Sequence, residues 1–289
     1  MEGIILKGIG GFYYVKTDDG VIECRARGRF RKDNIKPVPG DAVKILLQDD
    51  GTGYVSEILP RKNHMIRPPL ANIERMFIVA AAASPEPNLM FIDKIAAICE
   101  LKDIEPVIVI NKMDLNPETH LIDIYKNAGY TTISLSAQDD DPIPLFEPYI
   151  KGKVSAFTGA SGVGKSSIIN KLGLNANMEV GSVSDRIERG RHTTRHVELI
   201  EAYGGYVADT PGFSSYDIEK LWMTEKEKLV FGFRDFLPYK DDCRFTGCSH
   251  TKEKGCAVLE AVREGKIEKT RHDSYVQLYE QIKDIKPWD

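Results

Sequence analysis

Gly159-Ala160-Ser161-Gly162-Val163-Gly164-Lys165-Ser166 is the stretch of this 289-residue sequence that decides its fold. It fits the phosphate-loop pattern G-x-x-x-x-G-K-[ST], between a strand predicted at 154–157 and a helix predicted at 167–172. The glycines let backbone N–H groups face phosphate oxygens, Lys165 reaches the β and γ phosphates, and Ser166 binds Mg²⁺. Ser167, which opens the helix, completes the predicted nucleotide-binding stretch. A Gly/Ser-rich turn is the alternative, and the flanking strand and helix argue against it.

Two motifs upstream of the phosphate loop indicate which base is bound. Asn111-Lys112-Met113-Asp114 follows a strand predicted at 106–110. Asp114 can accept hydrogen bonds from guanine N1–H and the 2-amino group, a pair that adenine cannot supply, while Asn111 braces the loop and Lys112 covers the base. Ser136-Ala137 ends a strand predicted at 131–136, and the backbone near Ala137 can donate to guanine O6. Each motif alone could be a strand-ending turn, but together with the phosphate loop they predict GTP and GDP as ligands.

Two segments after the phosphate loop are candidates for binding Mg²⁺ and the γ-phosphate. Asp209-Thr210-Pro211-Gly212 follows a strand predicted at 205–208, so Asp209 can reach Mg²⁺ through water and the Gly212 N–H can reach the γ-phosphate. The basic loop 189–195 contains Thr193 and Thr194, and we favour Thr194 as the second Mg²⁺ ligand beside Ser166. The alternative for residues 209–212 is a tight turn without a ligand, and the alternative for the loop 189–195 is a solvated surface loop.

The catalytic group is less evident from the motifs. Position 213, where GTPases of the Ras type carry a water-positioning glutamine, is Phe213, and an apolar ring cannot orient water. We therefore expect slow intrinsic hydrolysis, of the order of 10⁻⁴ to 10⁻³ s⁻¹, with acceleration when a partner orders the switches. His192 is the nearest polar candidate for orienting the water, although a single loop histidine is more often exposed or a partner contact.

The order of the motifs predicts a circularly permuted P-loop GTPase domain. The usual order places the phosphate loop first and the N-K-x-D motif fourth, whereas here the N-K-x-D motif and Ser136-Ala137 come first. Predicted strands at 76–83, 106–110 and 131–136 alternate with predicted helices at 91–100 and 119–128, which favours a parallel sheet with flanking helices. The permutation also joins the 209–212 switch directly to the C-terminal segment, so a γ-phosphate contact could reposition a whole domain.

The N-terminal segment is β-rich and basic. Short runs at 11–15, 21–26, 41–47 and 53–58 without helical periodicity predict a small β-barrel. Residues 1–67 carry 12 Lys/Arg against 9 Asp/Glu, although the whole chain has a net charge of −4. The basic side chains concentrate in one run: Arg25, Arg27, Arg29, Arg31, Lys32 and Lys36. A solvated edge is the ordinary explanation, but a barrel of the oligonucleotide-binding type favours RNA, with Phe30 available for stacking.

Four residues near the C-terminus have the spacing of a metal site, Cys243-x₄-Cys248-x-His250-x₅-Cys256. Three thiolates and one imidazole are the ligand set of a closed structural Zn²⁺ site, which would stabilise a segment with predicted helices at 257–264 and 267–284. Buried cysteines with an incidental histidine are the alternative. Cys24 and Cys99 are expected to pack in a strand and in a helix.

Composition points to a globular protein of the cytoplasm. The sequence is 42% hydrophobic and 28% charged, with five cysteines, an odd number that does not suit a disulfide framework. The longest apolar run, 76–83, is far shorter than the roughly 20 residues that cross a membrane, and the N-terminus lacks the pattern of a signal peptide. We expect no membrane association.

With these residues in place, the sequence closely resembles the ribosome small subunit-dependent GTPase family known as RsgA. The resemblance lies in Cys24-Arg25-Ala26-Arg27-Gly28, in the NKMD, SLSA, GASGVGKSS, RGRHTT and DTPGF motifs, and in the Cys/His cluster. It implies an OB-fold barrel over 1–67, a permuted GTPase domain over 68–220 and a zinc-binding helical domain over 221–289.

The resemblance also implies a function and its partners. Members act in late maturation of the 30S subunit, bind 16S rRNA and hydrolyse GTP with ribosome stimulation. A monomer with one structural Zn²⁺ is expected, and the family's catalytic histidine falls on His192. Arg195 stands where the family commonly has a third threonine, which leaves Thr193 and Thr194 both open as Mg²⁺ ligands. A nucleotide-gated RNA-binding scaffold with incidental turnover is the competing function.

Overall fold

The computed structural model describes residues 1–26, 30, 36–66, 68–174, 197–209 and 226–284. Several residues singled out from the sequence lie outside these ranges: Arg27, Arg29, Arg31, Lys32, His192, Thr193, Thr194, Gly212 and Phe213. The chain divides into two compact units, one formed by residues 1–73, 141–156 and 166–211 and the other by residues 74–140, 157–165 and 212–289.

The first unit contains a closed five-stranded barrel at the N-terminus. Its strands are β1 (Glu2–Ile9), β2 (Phe12–Thr17), β3 (Gly20–Ala26), β4 (Ala42–Leu47) and β5 (Gly53–Ile58). Their order is β1-β2-β3-β5-β4, with β3 and β5 parallel and the other pairs antiparallel. Alternate side chains fill the interior, including Ile5, Val15 and Val55, as the period of two in a strand requires. The predicted barrel is confirmed, although β1 was not anticipated.

The predicted sheet is present with six strands. After the short pair β6 (His64–Met65) and β7 (Leu70–Ala71), its strands are β8 (Arg75–Ala81), β9 (Glu105–Asn111), β10 (Thr131–Ser134), β11 (Val154–Gly159), β12 (Leu199–Ala202) and β13 (Gly205–Asp209). The order is β10-β9-β8-β11-β13-β12. Strands β8, β9 and β10 are parallel, and β12 is antiparallel to β13. The continuous apolar runs of β8 and β9 are buried on both faces, as in other parallel sheets.

In the described parts of the chain, four α-helices accompany these strands: α1 (Leu89–Leu101), α2 (Leu121–Asn127), α3 (Ile143–Ile150) and α4 (Lys165–Lys171). The predicted helices correspond to α1, α2 and α4 with shifted ends, whereas α3 was not predicted. Helix α1 begins after Asn88, whose side-chain oxygen accepts a hydrogen bond from the Phe91 N–H at 3.0 Å. This is the usual N-cap arrangement, in which a side-chain oxygen satisfies a free N–H of the first turn.

The C-terminal segment is helical. Two 3₁₀ helices, Lys226–Gly232 and Arg234–Phe236, precede α5 (Ala257–Arg263) and α6 (Lys269–Ile282). Both predicted α-helices are confirmed, and Gly265, at φ +71°, follows α5 as the expected C-terminal cap. Phe233, Phe236 and Tyr275 form the centre of this segment's apolar cluster. Among the described residues, no helix combines the length and apolarity needed to cross a membrane.

Candidate functional site

The phosphate loop lies between β11 and α4, and two of its glycines are required by their surroundings. A Cβ on Gly159 would lie 2.2 Å from the carbonyl oxygen of Val79, and one on Gly164 would lie 2.2 Å from Nδ2 of Asn111. Gly164 also has φ +94°, a conformation that side chains rarely adopt. The pattern in the sequence therefore has a steric cause, because the loop passes against β8 and against the base-reading motif.

The side chain of Asn111 connects three loops. Its Nδ2 donates to the Val163 carbonyl at 2.9 Å, and its Oδ1 accepts from the Ala137 N–H at 2.9 Å. Asn111 is the last residue of β9 and is only 1% exposed, so both bonds are shielded from water. The N-K-x-D loop, the Ser136-Ala137 loop and the phosphate loop thus meet in the folded chain.

Lys112 and Asp114 follow Asn111 in the sequence and lie closer to the surface than Asn111 does. Lys112 has φ +62°, and its ammonium donates to the Ser84 carbonyl at 2.5 Å, which holds its stem against the loop after β8. Met113 N–H donates to the Leu135 carbonyl at 3.3 Å, so the motif is also joined to the end of β10. Asp114 is exposed, and within the described parts of the chain its carboxylate accepts no hydrogen bond. It is available to accept N–H groups from a base.

Two carboxylates that sequence reasoning missed shape the Ser136-Ala137 loop. The Ser136 N–H donates to Asp140 at 2.6 Å, and the Ser136 hydroxyl donates to Asp139 at 2.9 Å. The Ala137 N–H donates to Asn111, and donation from the backbone near Ala137 to guanine O6 stays a prediction. The run Asp139-Asp140-Asp141 after the motif was the available signal, because Asp commonly caps backbone N–H groups in turns.

Lys165 and the serines of α4 complete the phosphate side. The Lys165 ammonium donates to the carbonyls of Gly159 at 2.7 Å and Ala160 at 2.9 Å, which places its charge over the start of the loop. Ser166 and Ser167 are exposed in the first turn of α4. Asp209 is the last residue of β13, as its predicted role requires, while His192, Thr193, Thr194 and Gly212 lie outside the described residues.

The Cys/His cluster has the dimensions of a tetrahedral metal site. The ligand atoms of Cys243, Cys248, His250 and Cys256 all lie within 4.8 Å of one another. Nδ1 of His250 is 3.4 Å from Sγ of Cys243 and 3.5 Å from Sγ of Cys256, and those two sulfurs are 3.8 Å apart. Ordinary Zn–S and Zn–N bonds in a tetrahedron separate two sulfurs by about 3.8 Å and sulfur from nitrogen by about 3.6 Å. The four residues can therefore hold a metal ion.

Neighbouring groups orient these ligands. The N–H groups of Ala257 and Leu259 approach Sγ of Cys243 and Sγ of Cys256 at 3.4 and 3.5 Å. Glu253 accepts from the N–H groups of Ser249 at 2.9 Å and of Thr251 and Lys252 at 3.0 Å, and so closes the loop that contains His250. Although burial opposes it, hydrogen bonds from the Ser249 hydroxyl and from the N–H groups of Lys252, Ser249 and Glu253 lower the pKa of Glu253 to about 2. The loop is therefore held by an ionised carboxylate.

Burial shifts the pKa values of three of the four ligands. Burial, with a further contribution from the neighbouring thiols, raises the pKa of Cys248 to about 12, and burial also raises that of Cys256. Burial lowers the pKa of His250. A cation bound by the cluster must therefore displace protons from the thiols of Cys248 and Cys256, whereas the imidazole of His250 is already neutral at pH 7.

The basic run of the barrel differs from expectation in one respect. Phe30 is 6% exposed and packs in the barrel interior, so it is not available for stacking on a base. Arg25 is exposed on β3, with its guanidinium 4.7 Å from the centre of the Phe12 ring.

The two cysteines outside the metal cluster are buried, Cys24 in β3 and Cys99 in α1, as predicted.

Comparison with known proteins gives consistent matches. The family model described as RsgA GTPase matches residues 58–219, and the one described as RsgA N-terminal domain matches residues 2–55. A protein named small ribosomal subunit biogenesis GTPase RsgA from Caldanaerobacter subterraneus is 45% identical over 98% of this chain and 96% of its own. Its namesake from Clostridium novyi is 46% identical, with 98% and 97% covered.

Two solved structures share the fold. The crystal structure of YloQ, described as a circularly permuted GTPase, matches with a TM-score of 0.82 and 38% identity, covering 99% of this chain and 96% of that one. The crystal structure of YjeQ from Thermotoga maritima matches with a TM-score of 0.81 and 32% identity, covering 98% of each chain. The permuted order deduced from the motifs is therefore that of a known structural class.

Proposed function

This chain belongs to the RsgA family of GTPases and is a GTP hydrolase, and we propose that it binds the small ribosomal subunit and acts late in 30S maturation. Binding to the subunit accelerates hydrolysis of GTP to GDP and phosphate. The observation that carries the nucleotide part of the proposal is the junction at Asn111, because one side chain joins both base-reading loops to the phosphate loop. The names of the relatives support the ribosomal part.

In this proposal the nucleotide lies across the loops that Asn111 joins. The exposed carboxylate of Asp114 accepts guanine N1–H and the 2-amino group, and the Lys112 stem covers the base. The backbone of residues 159–165 surrounds the phosphates, with the Lys165 charge directed at the β and γ groups. Asn111 positions the loops and does not need to touch the base.

We assign Mg²⁺ to Ser166 and Thr194, with Asp209 reaching it through water and Gly212 reaching the γ-phosphate. Thr193 is the alternative ligand. The cation neutralises charge that develops between the β and γ phosphates. His192 orients the attacking water, and the absence of a glutamine at Phe213 makes the partner's contribution necessary.

The metal of the Cys/His cluster is assigned as one structural Zn²⁺. Its support is the thiolate-rich donor set and the fit of the interatomic distances to tetrahedral Zn²⁺. Four protein ligands leave no position for substrate, so the ion stabilises the 221–289 domain and takes no part in hydrolysis.

The remaining assignments concern the partner. The 1–67 barrel contacts 16S rRNA through Arg25 and the basic residues after it, by phosphate contacts without base readout. The protein acts as a monomer in the cytoplasm, where ribosomal subunits are assembled, and has no membrane partner.

The test is GTP hydrolysis by the purified full-length chain, with and without purified 30S subunits. We expect a slow intrinsic rate and a large increase on addition of subunits. His192→Ala should abolish the increase and keep GDP affinity, because the histidine acts on water and not on the nucleotide. If added subunits leave the wild-type rate of GTP hydrolysis unchanged, the proposed cycle is wrong. If His192→Ala keeps the subunit-stimulated rate, the scaffold function is favoured.

A further inference from the structure

The second compact unit contains a fully buried arginine outside the nucleotide and metal sites. Arg271 on α6 has a side-chain exposure of 1%. Its Nη1 lies 2.7 Å from Oδ1 of Asp93 on α1, and its Nη2 lies 2.7 Å from Oδ1 of Asp235. The Nε donates to the other oxygen of Asp235 at 3.2 Å. A buried charge of this kind is retained only where its partners are well placed, because desolvation of the ions is expensive.

The partners of Arg271 belong to different parts of the chain. Asp93 lies on the helix that follows β8, whereas Asp235 lies in the 3₁₀ helix of the C-terminal segment. A displacement of α6 along α1 would leave the guanidinium or a carboxylate unpaired in the interior. The cluster therefore fixes one position of the C-terminal segment on α1, and the close approach of Gly232 to Ala97 supports the same position.

Tyr130 links this cluster to the base-reading loop. Nη2 of Arg271 donates to the Tyr130 hydroxyl at 3.3 Å, and its guanidinium lies 5.1 Å from the centre of the Tyr130 ring. A second guanidinium, that of Arg234, lies 4.7 Å from the same ring and donates to the Gly129 carbonyl at 3.0 Å. Tyr130 directly precedes β10, which leads to Ser136-Ala137. Two arginines of the C-terminal segment thus hold the beginning of the strand that carries this loop.

The metal loop contacts the same helix. Nε2 of His272, the residue after Arg271, is 2.8 Å from the His250 carbonyl oxygen. The Tyr275 hydroxyl donates to the Ser249 carbonyl at 3.0 Å. Helix α6 therefore contacts the metal loop through these two side chains and contacts α1 and Tyr130 through Arg271.

We propose that Arg271 is a positioning residue for guanine nucleotide binding, through which the metal loop and the Ser136-Ala137 loop stabilise each other. The inference rests on the proposed nucleotide and Zn²⁺ assignments. Its consequence is reciprocal coupling: a bound ion favours the loop geometry that binds the base, and a bound nucleotide must retain the ion by the same factor.

The test measures the equilibrium affinity of the full-length protein for Zn²⁺, by competition with a chromogenic chelator, with and without saturating GDP. In the wild type, GDP should raise this affinity by at least about fivefold, the lower end of ordinary coupling between sites. In Arg271→Met the ratio of the two affinities should fall towards 1, and Arg271→Lys, which cannot hold both carboxylates in a fork, should lie between. Arg263→Gln, an exposed change on α5, should keep the wild-type ratio.

The ratio distinguishes positioning from simple stabilisation. A merely structural role of Arg271 would weaken Zn²⁺ binding equally with and without GDP and leave the ratio of affinities unchanged, which would overturn the inference. A wild-type ratio of 1 would do the same. If Arg271→Met does not fold, Asp235→Asn replaces it, since that variant keeps the pair with Asp93. GDP binding and Zn²⁺ content are measured in the same samples, so failure of either proposed assignment is seen separately.

Discussion

At the scale of single residues, the nucleotide site depends on one amide. Asn111 uses both ends of its side chain, at 2.9 Å each, to join the phosphate loop and the Ser136-Ala137 loop. Position 164 requires glycine, because the Asn111 amide occupies the space where a Cβ would be. The side chain of Asp114, by contrast, makes no such internal bond in the described part of the chain and is left for the ligand.

Gly164→Ala should weaken GDP binding at least tenfold, which corresponds to about 1.4 kcal/mol. The added Cβ would lie 2.2 Å from Asn111 Nδ2 and would displace the amide that joins the loops. The matched control is Gly173→Ala, which has a similar positive φ of +70° but nothing within 4 Å of the added carbon. Affinities are measured with a fluorescent GDP analogue, and equal affinities for the two variants would contradict the steric explanation.

Asp114→Asn should weaken GTP binding by roughly 100-fold, because two hydrogen bonds to a charged acceptor contribute about 3 kcal/mol. The same change should improve binding of xanthosine triphosphate, whose 2-oxo group suits the new amide donor. Competition binding with both nucleotides measures the change in preference. Glu118→Gln, an exposed carboxylate on the same loop, serves as control and should keep the preference for guanine. Unchanged GTP affinity in Asp114→Asn would remove the basis of the guanine assignment.

At the scale of elements, the metal loop is organised by a carboxylate that does not bind the metal. Glu253 accepts three backbone N–H groups, from Ser249, Thr251 and Lys252. These bonds fix the shape of the short loop around His250, since a segment of this length has little apolar core of its own. Loss of such a group beside a metal ligand commonly lowers metal affinity by roughly 10–100-fold.

Glu253→Gln should release Zn²⁺ about tenfold faster than the wild type at pH 7, because loss of the charge weakens all three hydrogen bonds at once. Transfer to a chromogenic chelator measures the rate. The control is Glu260→Gln on α5, whose carboxylate is exposed and pairs with Arg263 at 2.7 Å. If the two variants release the ion at the same rate, the loop does not depend on Glu253.

At the scale of the whole molecule, the permuted order places the C-terminal segment after the switch. Residues 212–289 belong to the same compact unit as residues 74–140 and 157–165, which carry the base-reading and phosphate loops. Displacement of this segment by the switch would separate Arg271 from buried carboxylates, at a cost of roughly 3–5 kcal/mol. The structure therefore favours a segment that stays with the guanine loops over one that the γ-phosphate repositions.

Subunit binding should depend on salt through the basic residues of the barrel. Arg25→Gln should weaken association with 30S subunits and reduce its salt dependence by about one ion, whereas Arg25→Lys should retain both, because phosphate contacts require charge and not shape. Sedimentation with subunits between about 50 and 200 mM salt measures both quantities. If Arg25→Gln and Arg25→Lys weaken association with the subunits equally, the contact of Arg25 with the Phe12 ring matters more than its charge.

The sequence by itself determined the class of the protein. Motif spacing, the apolar runs of β8 and β9, the Cys/His spacing and the cap at Gly265 are local patterns, and local patterns suffice where backbone geometry or a ligand dictates residue type. The barrel was predicted for the same reason. Strands β1 and β12 were missed although each pairs with the strand that follows it, because β1 contains two glycines and β12 has only four residues. Helix α3 was missed because Pro148 lies inside it.

Only the tertiary structure decided which side chains meet. Asn111 and Val163 are 52 residues apart, and Arg271 and Asp93 are 178 apart, so no local pattern relates them. Phe30 looks accessible within its run of arginines, yet packing places it inside the barrel. In the sequence, Arg271 resembles any other charged residue of a polar helix. In the structure it is buried, because two carboxylates from distant segments form ion pairs with its guanidinium. Burial and long-range pairing follow from how the whole chain packs, and that information is not contained in any single stretch.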